Sequence, residues 1–216
     1  RGIEETLEDG EWYEGDVVLH NHPYYGASHS PDIAIAIPVF WQGQIVGFSA
    51  NTAHHIDIGA ATPGLIIDIP DVFAEGMLFA GVKLYRKGKR NEGLWQFMQS
   101  NSRTAKMLKD DIEAQVASAR LGVVRMKDLI RQYSLTTFQA ACAELLNYTE
   151  RMMRQQIKAI PNGTYRAEGW CDDDGRNRNK KLPVKVAVKV KGDKVTVYGG
   201  ELTRLEKVLK NKESKE

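Results

Sequence analysis

The chain has 216 residues, enough to bury a core as one large domain or two modest ones. Hydrophobic residues make up 42 % and charged residues 27 %, with a formal net charge of +2, and residues 33–85 are rich in Ile, Val, Phe and Tyr, which excludes whole-chain disorder. No run approaches the ~18 consecutive apolar residues of a membrane helix, and Arg1-Gly2-Ile3-Glu4-Glu5 has no apolar signal-peptide core.

A chain that opens on Arg is expected to be a fragment or a processed product. Residues 1–90 read as β-rich. Gly15-Asp16 leads into Val17-Val18-Leu19, and Ile33 to Phe40 is a buried strand with branched residues at 33, 35, 37 and 39. Gln44 to Ala50 is a second strand. Trp41-Gln42-Gly43 suits the hairpin turn between them, and Val82 to Tyr85 is a further short strand.

Residues 91–160 read as helical. Leu108, Ile112, Val116, Ala119, Val123, Met126, Ile130 and Tyr133 repeat at three and four, which is one helix face. After Ser134 the pattern restarts as Phe138, Cys142, Leu145, Thr149, Met152, Gln156 and Ile160, and Pro161-Asn162-Gly163 ends it. The short link Ser134-Leu135-Thr136 predicts an antiparallel helical hairpin.

Residues 161–200 return to β. Leu182, Val184, Val186, Val188 and Val190 alternate with polar positions, and Lys191-Gly192-Asp193-Lys194 turns the chain into Val195 to Tyr198. This hairpin region is expected to form one domain with the first block and to join its sheet system. Residues 201–216 are a charged tail. The expected fold is therefore mixed α/β (α+β): a β-rich N-terminal part, a helical hairpin and a C-terminal β-hairpin.

From Arg176 to Glu216 there are 13 Lys/Arg against 5 Asp/Glu. A basic end suits nucleic acid or an acidic surface. This one has a single aromatic residue, Tyr198, and no recognisable module, so no nucleic-acid partner and no membrane contact are expected. Cys142 and Cys171 make neither a disulfide framework nor a CxxC pair, which fits reduced thiols in a cytoplasmic protein.

All five histidines, at 20, 22, 29, 54 and 55, fall within 36 residues, with Asp32 and Asp57 among them. With the hairpin turn centred near Gln42, Asp32 lies opposite Thr52, and His29 lies near His55. Imidazoles and a carboxylate at one end of a hairpin suit a divalent transition metal such as Zn²⁺, Mn²⁺ or Fe²⁺. Spacing alone leaves the ligand set open, because His20 and His54 are equally placed to make outer hydrogen bonds, as are His22 and Asn51. His55 and Asp57 are the general-base candidates, being expected within reach of the metal.

Other chemistry is weakly signalled. Asp172-Asp173-Asp174-Gly175 fails the Ca²⁺-loop pattern, because Trp170 and Lys181 would occupy positions that need acids. Ser28, Ser30 and Ser49 lie near histidines but outside any G-x-S-x-G turn, and Cys171 has no adjacent base.

Several stretches together resemble the hydantoinase B/oxoprolinase family. They are Gly15-Asp16-Val17-Val18-Leu19, Asn21-His22-Pro23-Tyr24, His29-Ser30-Pro31-Asp32 and Asn51 to Gly59. Thr62-Pro63-Gly64, Lys83-Leu84-Tyr85, Asn101-Ser102-Arg103 and Ile160 to Tyr165 follow in order, with Gly169-Trp170 after them. The resemblance spans about residues 1–198.

It implies a B-type component of an ATP-dependent hetero-oligomer with manganese or zinc near the substrate, and His29, Asp32 and His54 as the metal ligands. ATP would sit on a hydantoinase A-type partner, in keeping with the lack of a G-x-x-x-x-G-K-[ST] or G-x-G-x-x-G loop here. The reaction implied is hydrolysis of a cyclic amide or imide. The alternatives are ATP-dependent carboxylation of a ketone, or a non-catalytic assembly subunit. The family usually has Asn-Asp-Pro-Tyr where this chain has Asn21-His22-Pro23-Tyr24. The chain is also short for the family, so it is expected to be a fragment or a split subunit, and it is expected to be inactive without its partner.

Overall fold

The computed structural model describes residues 3, 7, 10–64, 71–173 and 179–199. The expected charged tail, 201–216, and part of the Asp172 to Gly175 turn lie outside the described residues. The chain divides into two compact units, Arg1–Leu135 and Thr136–Glu216.

The first unit is built on a five-stranded antiparallel sheet. Its strands are β1 (Val17–His20), β2 (Asp32–Trp41), β3 (Gln44–His54), β4 (Val82–Arg86) and β5 (Lys89–Arg90), in the order β3-β2-β1-β4-β5. The β2–β3 hairpin closes through Gln42 and Gly43, both at positive φ (50° and 81°). Two such residues make the turn whose twist matches that of paired strands, which is why Gly belongs there.

Val17, Leu19, Ile33, Ile35 and Ile37 share the buried side of the sheet. Against them pack α1 (Glu92–Ser100), through Trp95 and Met98, and α2 (Ala105–Tyr133), through Leu108, Ile112, Val116 and Ala119. Ile58, Met77 and Phe79, from the crossing loops, complete this core. Asn91 caps α1, its Oδ1 accepting from Leu94 N (3.1 Å). The face expected for α2 is the buried one, except that Tyr133 is exposed at its last residue.

A buried ion pair braces the far end of the sheet. Lys83 Nζ lies 2.9 Å from Asp16 Oδ2 and donates to Glu11 O (2.7 Å). Asp16 also accepts from Tyr13 N (3.0 Å) and Lys87 N (2.7 Å).

The second unit holds α3 (Leu135–Lys158) and a three-stranded meander of β6 (Gly163–Cys171), β7 (Leu182–Lys191) and β8 (Lys194–Gly199), ordered β6-β7-β8. The helix break falls at Ser134, where φ is 72°, close to where the sequence pattern restarts.

Three expectations are corrected here. Among the described residues the C-terminal strands form a sheet of their own, β6-β7-β8, instead of the expected extension of the first sheet, with both edges of β7 taken by β6 and β8. The expected core face of α3 is not buried among the described residues, with Leu145 65 % and Met152 41 % exposed. The Val alternation of β7 does not set its burial throughout either: Val184 is exposed, whereas Ala187, outside the series, is buried. Cys142 and Cys171 are free and exposed, and among the described residues no helix is long and apolar enough to cross a membrane.

Candidate metal centre

The β2–β3 ladder ends on the pair Asp32↔His54. Directly opposed residues share a face of the sheet, so the two side chains meet. The pairing differs from the expected Asp32 opposite Thr52 for two reasons. The turn is centred between Gln42 and Gly43, and a bulge at Val39/Phe40 shifts the register by one more residue, pairing Val39 with Gly47. His54, rather than Thr52, is therefore delivered to Asp32.

His29 arrives from the loop before β2. Its Nε2 lies 2.8 Å from Asp32 Oδ2, and His54 Nδ1 lies 3.0 Å from Asp32 Oδ1. The two imidazole centroids are 5.0 Å apart. One potential ligand atom from each of the three residues can be chosen so that all lie within 4.8 Å of one another. Ser28 Oγ donates to Asp32 Oδ2 (2.7 Å). Burial raises the Asp32 carboxyl, but the hydrogen bonds from Ser28 and His54 and the nearby imidazoles outweigh it, so its pKa falls below the ordinary value. The carboxylate is thus ionised at neutral pH between two imidazoles.

This donor set fits a divalent transition metal. Imidazole nitrogen and carboxylate oxygen are the ligands such ions take, and three protein ligands leave a position open.

The remaining candidates sit elsewhere. His55 is buried, and its Nε2 is 2.9 Å from Gln115 Oε1. Burial lowers its pKa, only partly opposed by the Gln115 hydrogen bond, so it is neutral near pH 7. Asp57 is fully buried and its carboxylate is engaged. Oδ1 accepts from Gly59 N (3.0 Å) and Arg103 Nη1 (3.0 Å), and Oδ2 accepts from Arg103 N (2.6 Å). Burial raises this carboxyl, but these hydrogen bonds and the Arg103 charge bring it below its ordinary value. Neither residue belongs to the metal-spaced group, and both are buried and engaged in the hydrogen bonds described.

His20 is buried with its pKa lowered, chiefly by that burial. His22 stacks edge-on to Tyr25 at 4.9 Å. Asn51 exchanges hydrogen bonds with Gln115, its Nδ2 donating to Gln115 O (2.9 Å) and its Oδ1 accepting from Gln115 Nε2 (3.1 Å).

Four further residues support the group in ways that sequence reasoning missed. Ser28 orients Asp32. Arg103 ties Asp57 to the carbonyls of Ala60 (2.8 Å) and Ala61 (3.2 Å). Asn21 is buried, its Nδ2 donating to Ser30 O (2.7 Å) and Met77 O (2.9 Å) while its Oδ1 accepts from Phe79 N (2.6 Å), which pins the loop carrying His29. Gln115 was detectable as a polar residue on the apolar face of α2, between Ile112 and Ala119.

The fold is that of a known class. Residues 1–198 match the family described as Hydantoinase B/oxoprolinase, and the chain belongs to it. It is 46 % identical to a putative B-type component of a D-/L-hydantoinase from Pseudomonas sp. (strain NS671), over 91 % of this chain and 34 % of that protein. The crystal structure of the ATP-dependent caprolactamase from Pseudomonas jessenii superposes with a TM-score of 0.81 at 28 % identity, covering 89 % of this chain and 33 % of that one. A nucleotide-free acetone carboxylase structure shares the fold, with a TM-score of 0.77 at 18 % identity over 86 % of this chain and 26 % of that one. The chain spans about a third of the length of the hydantoinase and caprolactamase relatives it matches.

Proposed function

We propose that the chain is the metal-binding part of a B-type component in an ATP-dependent heteromeric enzyme that hydrolyses a cyclic amide or imide. His29, Asp32 and His54 are the ligands, and manganese or zinc is the ion. The observation that carries this reading is the terminal pair Asp32↔His54, with His29 2.8 Å from the same carboxylate. The hydrolase assignment rests on the relatives: the putative hydantoinase component at 46 % identity and an ATP-dependent caprolactamase at a TM-score of 0.81. A hydantoinase A-type partner would supply the ATP site.

A divalent ion at this group supplies Lewis-acid charge for an oxyanion that develops on the substrate. The chain's own residues prepare the place. Ser28 orients the Asp32 carboxylate, and the lowered Asp32 pKa keeps it anionic. Arg103 and Asp57 fix the loop after β3 against the start of α2.

The test is elemental analysis of the chain purified without chelator, beside a His29→Ala/His54→Ala variant. Near-stoichiometric Mn or Zn, lost in the variant, is expected. Absence of metal after both ions are supplied would refute the site. The loaded chain is then combined with an A-type partner and ATP. Turnover of a cyclic imide or lactam supports the hydrolase reading, whereas bicarbonate-dependent consumption of a ketone would replace it with the carboxylase reading.

A further inference from the structure

Gln115 joins the two strands that carry the metal group, working from the opposite side of the sheet. Its Nε2 donates to Ile33 O (3.0 Å) and to Asn51 Oδ1 (3.1 Å). Its backbone oxygen accepts from Asn51 Nδ2 (2.9 Å), and its Oε1 faces His55 Nε2 (2.9 Å). A backbone carbonyl only accepts, so the amide nitrogen must face Ile33 and the amide oxygen must face His55. His55 therefore carries its hydrogen on Nε2.

These bonds end beside the ligands. Ile33 follows Asp32 on β2, and His55 follows His54 on β3. Asn51 and His55 flank Thr52 to His54, and backbone alternation sends their side chains toward α2 while His54 points the other way. Asp32↔His54 is the last pair of the ladder, so no further strand pairing holds it. Among the described residues, His55 N→Pro31 O (2.9 Å) continues the backbone bonding across the hairpin beyond it. A terminal pair frays unless it is fixed by other bonds.

We propose that Gln115 is a positioning residue for the metal group, a strut from α2 that locks the ends of β2 and β3 in the register that opposes Asp32 and His54. The proposal rests on the metal reading above. The strut touches neither ion nor substrate. It acts by holding the backbone on which two ligands sit, as the outer partners of metal ligands do.

The test compares three full-length chains: wild type, Gln115→Met and Ile112→Val. Ile112 lies in the same helix face and its truncation removes a buried methyl without disturbing a polar bond. Affinity is measured with Zn²⁺ or Mn²⁺ alone, by competition with a chelating dye, and the thermal midpoint of each metal-free chain is recorded. Gln115→Met is expected to weaken binding about tenfold or more. Ile112→Val is expected to lower the midpoint and leave affinity unchanged. Unchanged affinity in Gln115→Met, or an equal loss in Ile112→Val, would overturn the proposal. Should Gln115→Met fail to fold, Asn51→Ala removes the strut's two bonds to that side chain and is judged by the same criteria.

A metal-free readout separates the two readings. The ¹⁵N spectrum of wild-type His55 should show a protonated Nε2 and a bare Nδ1, and the reverse would overturn the strut whatever the metal result. A wild-type chain that binds neither ion, with His55 in the expected tautomer, would instead refute the metal reading and leave Gln115 a purely structural brace.

Discussion

Asp57→Asn tests how the loop after β3 is held. The native carboxylate has no exposure and accepts three hydrogen bonds, two of them from Arg103. Asparagine keeps the size but offers one acceptor oxygen, and it turns an NH₂ group toward donors that previously faced an anion. Hydrogen bonds to a charged group contribute roughly 1.5–3 kcal/mol each, and breaking a buried pair by changing one partner costs about 3–5 kcal/mol. Arg103 is half exposed, so water recovers part of its loss, and the Coulombic share must be discounted. The expected cost is therefore about 2–4 kcal/mol, near the lower part of that range.

The pH dependence provides the sharper assay. The folded Asp57 carboxyl titrates below its unfolded value. Its contribution is therefore complete above the unfolded carboxylate pKa and is lost as pH falls through the folded pKa. In Asp57→Asn that portion of the acid limb should vanish, so the gap between wild type and variant narrows as pH drops below ~4. Asp32 titrates in the same direction and remains in both proteins, so it cancels in the difference. Urea unfolding followed by tryptophan fluorescence suits the measurement, because Trp12, Trp41 and Trp95 lie in the first unit. A stability loss under ~0.5 kcal/mol at pH 7, or a gap independent of pH between 3 and 7, would refute the clamp.

Two further substitutions probe the frame. Lys83→Met should cost about 3 kcal/mol, because it leaves the buried Asp16 carboxylate without its counter-charge; a loss below ~1 kcal/mol by urea unfolding would show that the Tyr13 and Lys87 amides suffice. Gly59→Ala should cost at least ~2 kcal/mol. Its φ is +86°, and an added Cβ would sit 2.5 Å from the Asn101 carbonyl oxygen, so a variant as stable as wild type in the same assay would contradict the close approach of that loop to the end of α1.

Much of the fold was legible from side-chain period alone. The β2–β3 hairpin declares itself by branched residues at alternate positions and by Gln42-Gly43, and α2 by Leu108, Ile112, Val116 and Ala119 on one stripe. Periodicity reports which face is apolar, not what covers it. That is why the equally regular face of α3 gave a false expectation of burial, and why the Val series of β7 did not foretell the burial of Ala187. β6 does not stand out as a separate strand: the face of Tyr165, Ala167 and Cys171 is diluted by Gly163 and Gly169, and its register comes from pairing along β7.

The metal group was legible in composition but not in register, and the difference has a physical origin. Counting back from a turn near Gln42 places Asp32 opposite Thr52. Moving the turn centre to between Gln42 and Gly43 gives Ala53, whose side chain would share Asp32's face and send His54 to the other. Only the extra residue at the Val39/Phe40 bulge brings His54 level with Asp32. The bulge lies where β3 passes close over α2, with Gly47 against Met126 and Ser49 against Gly122. Register at the site is thus a tertiary property. The same helix supplies Gln115 to the end of the strand, so the placement of His54 is tied to contacts about 60 residues away in sequence.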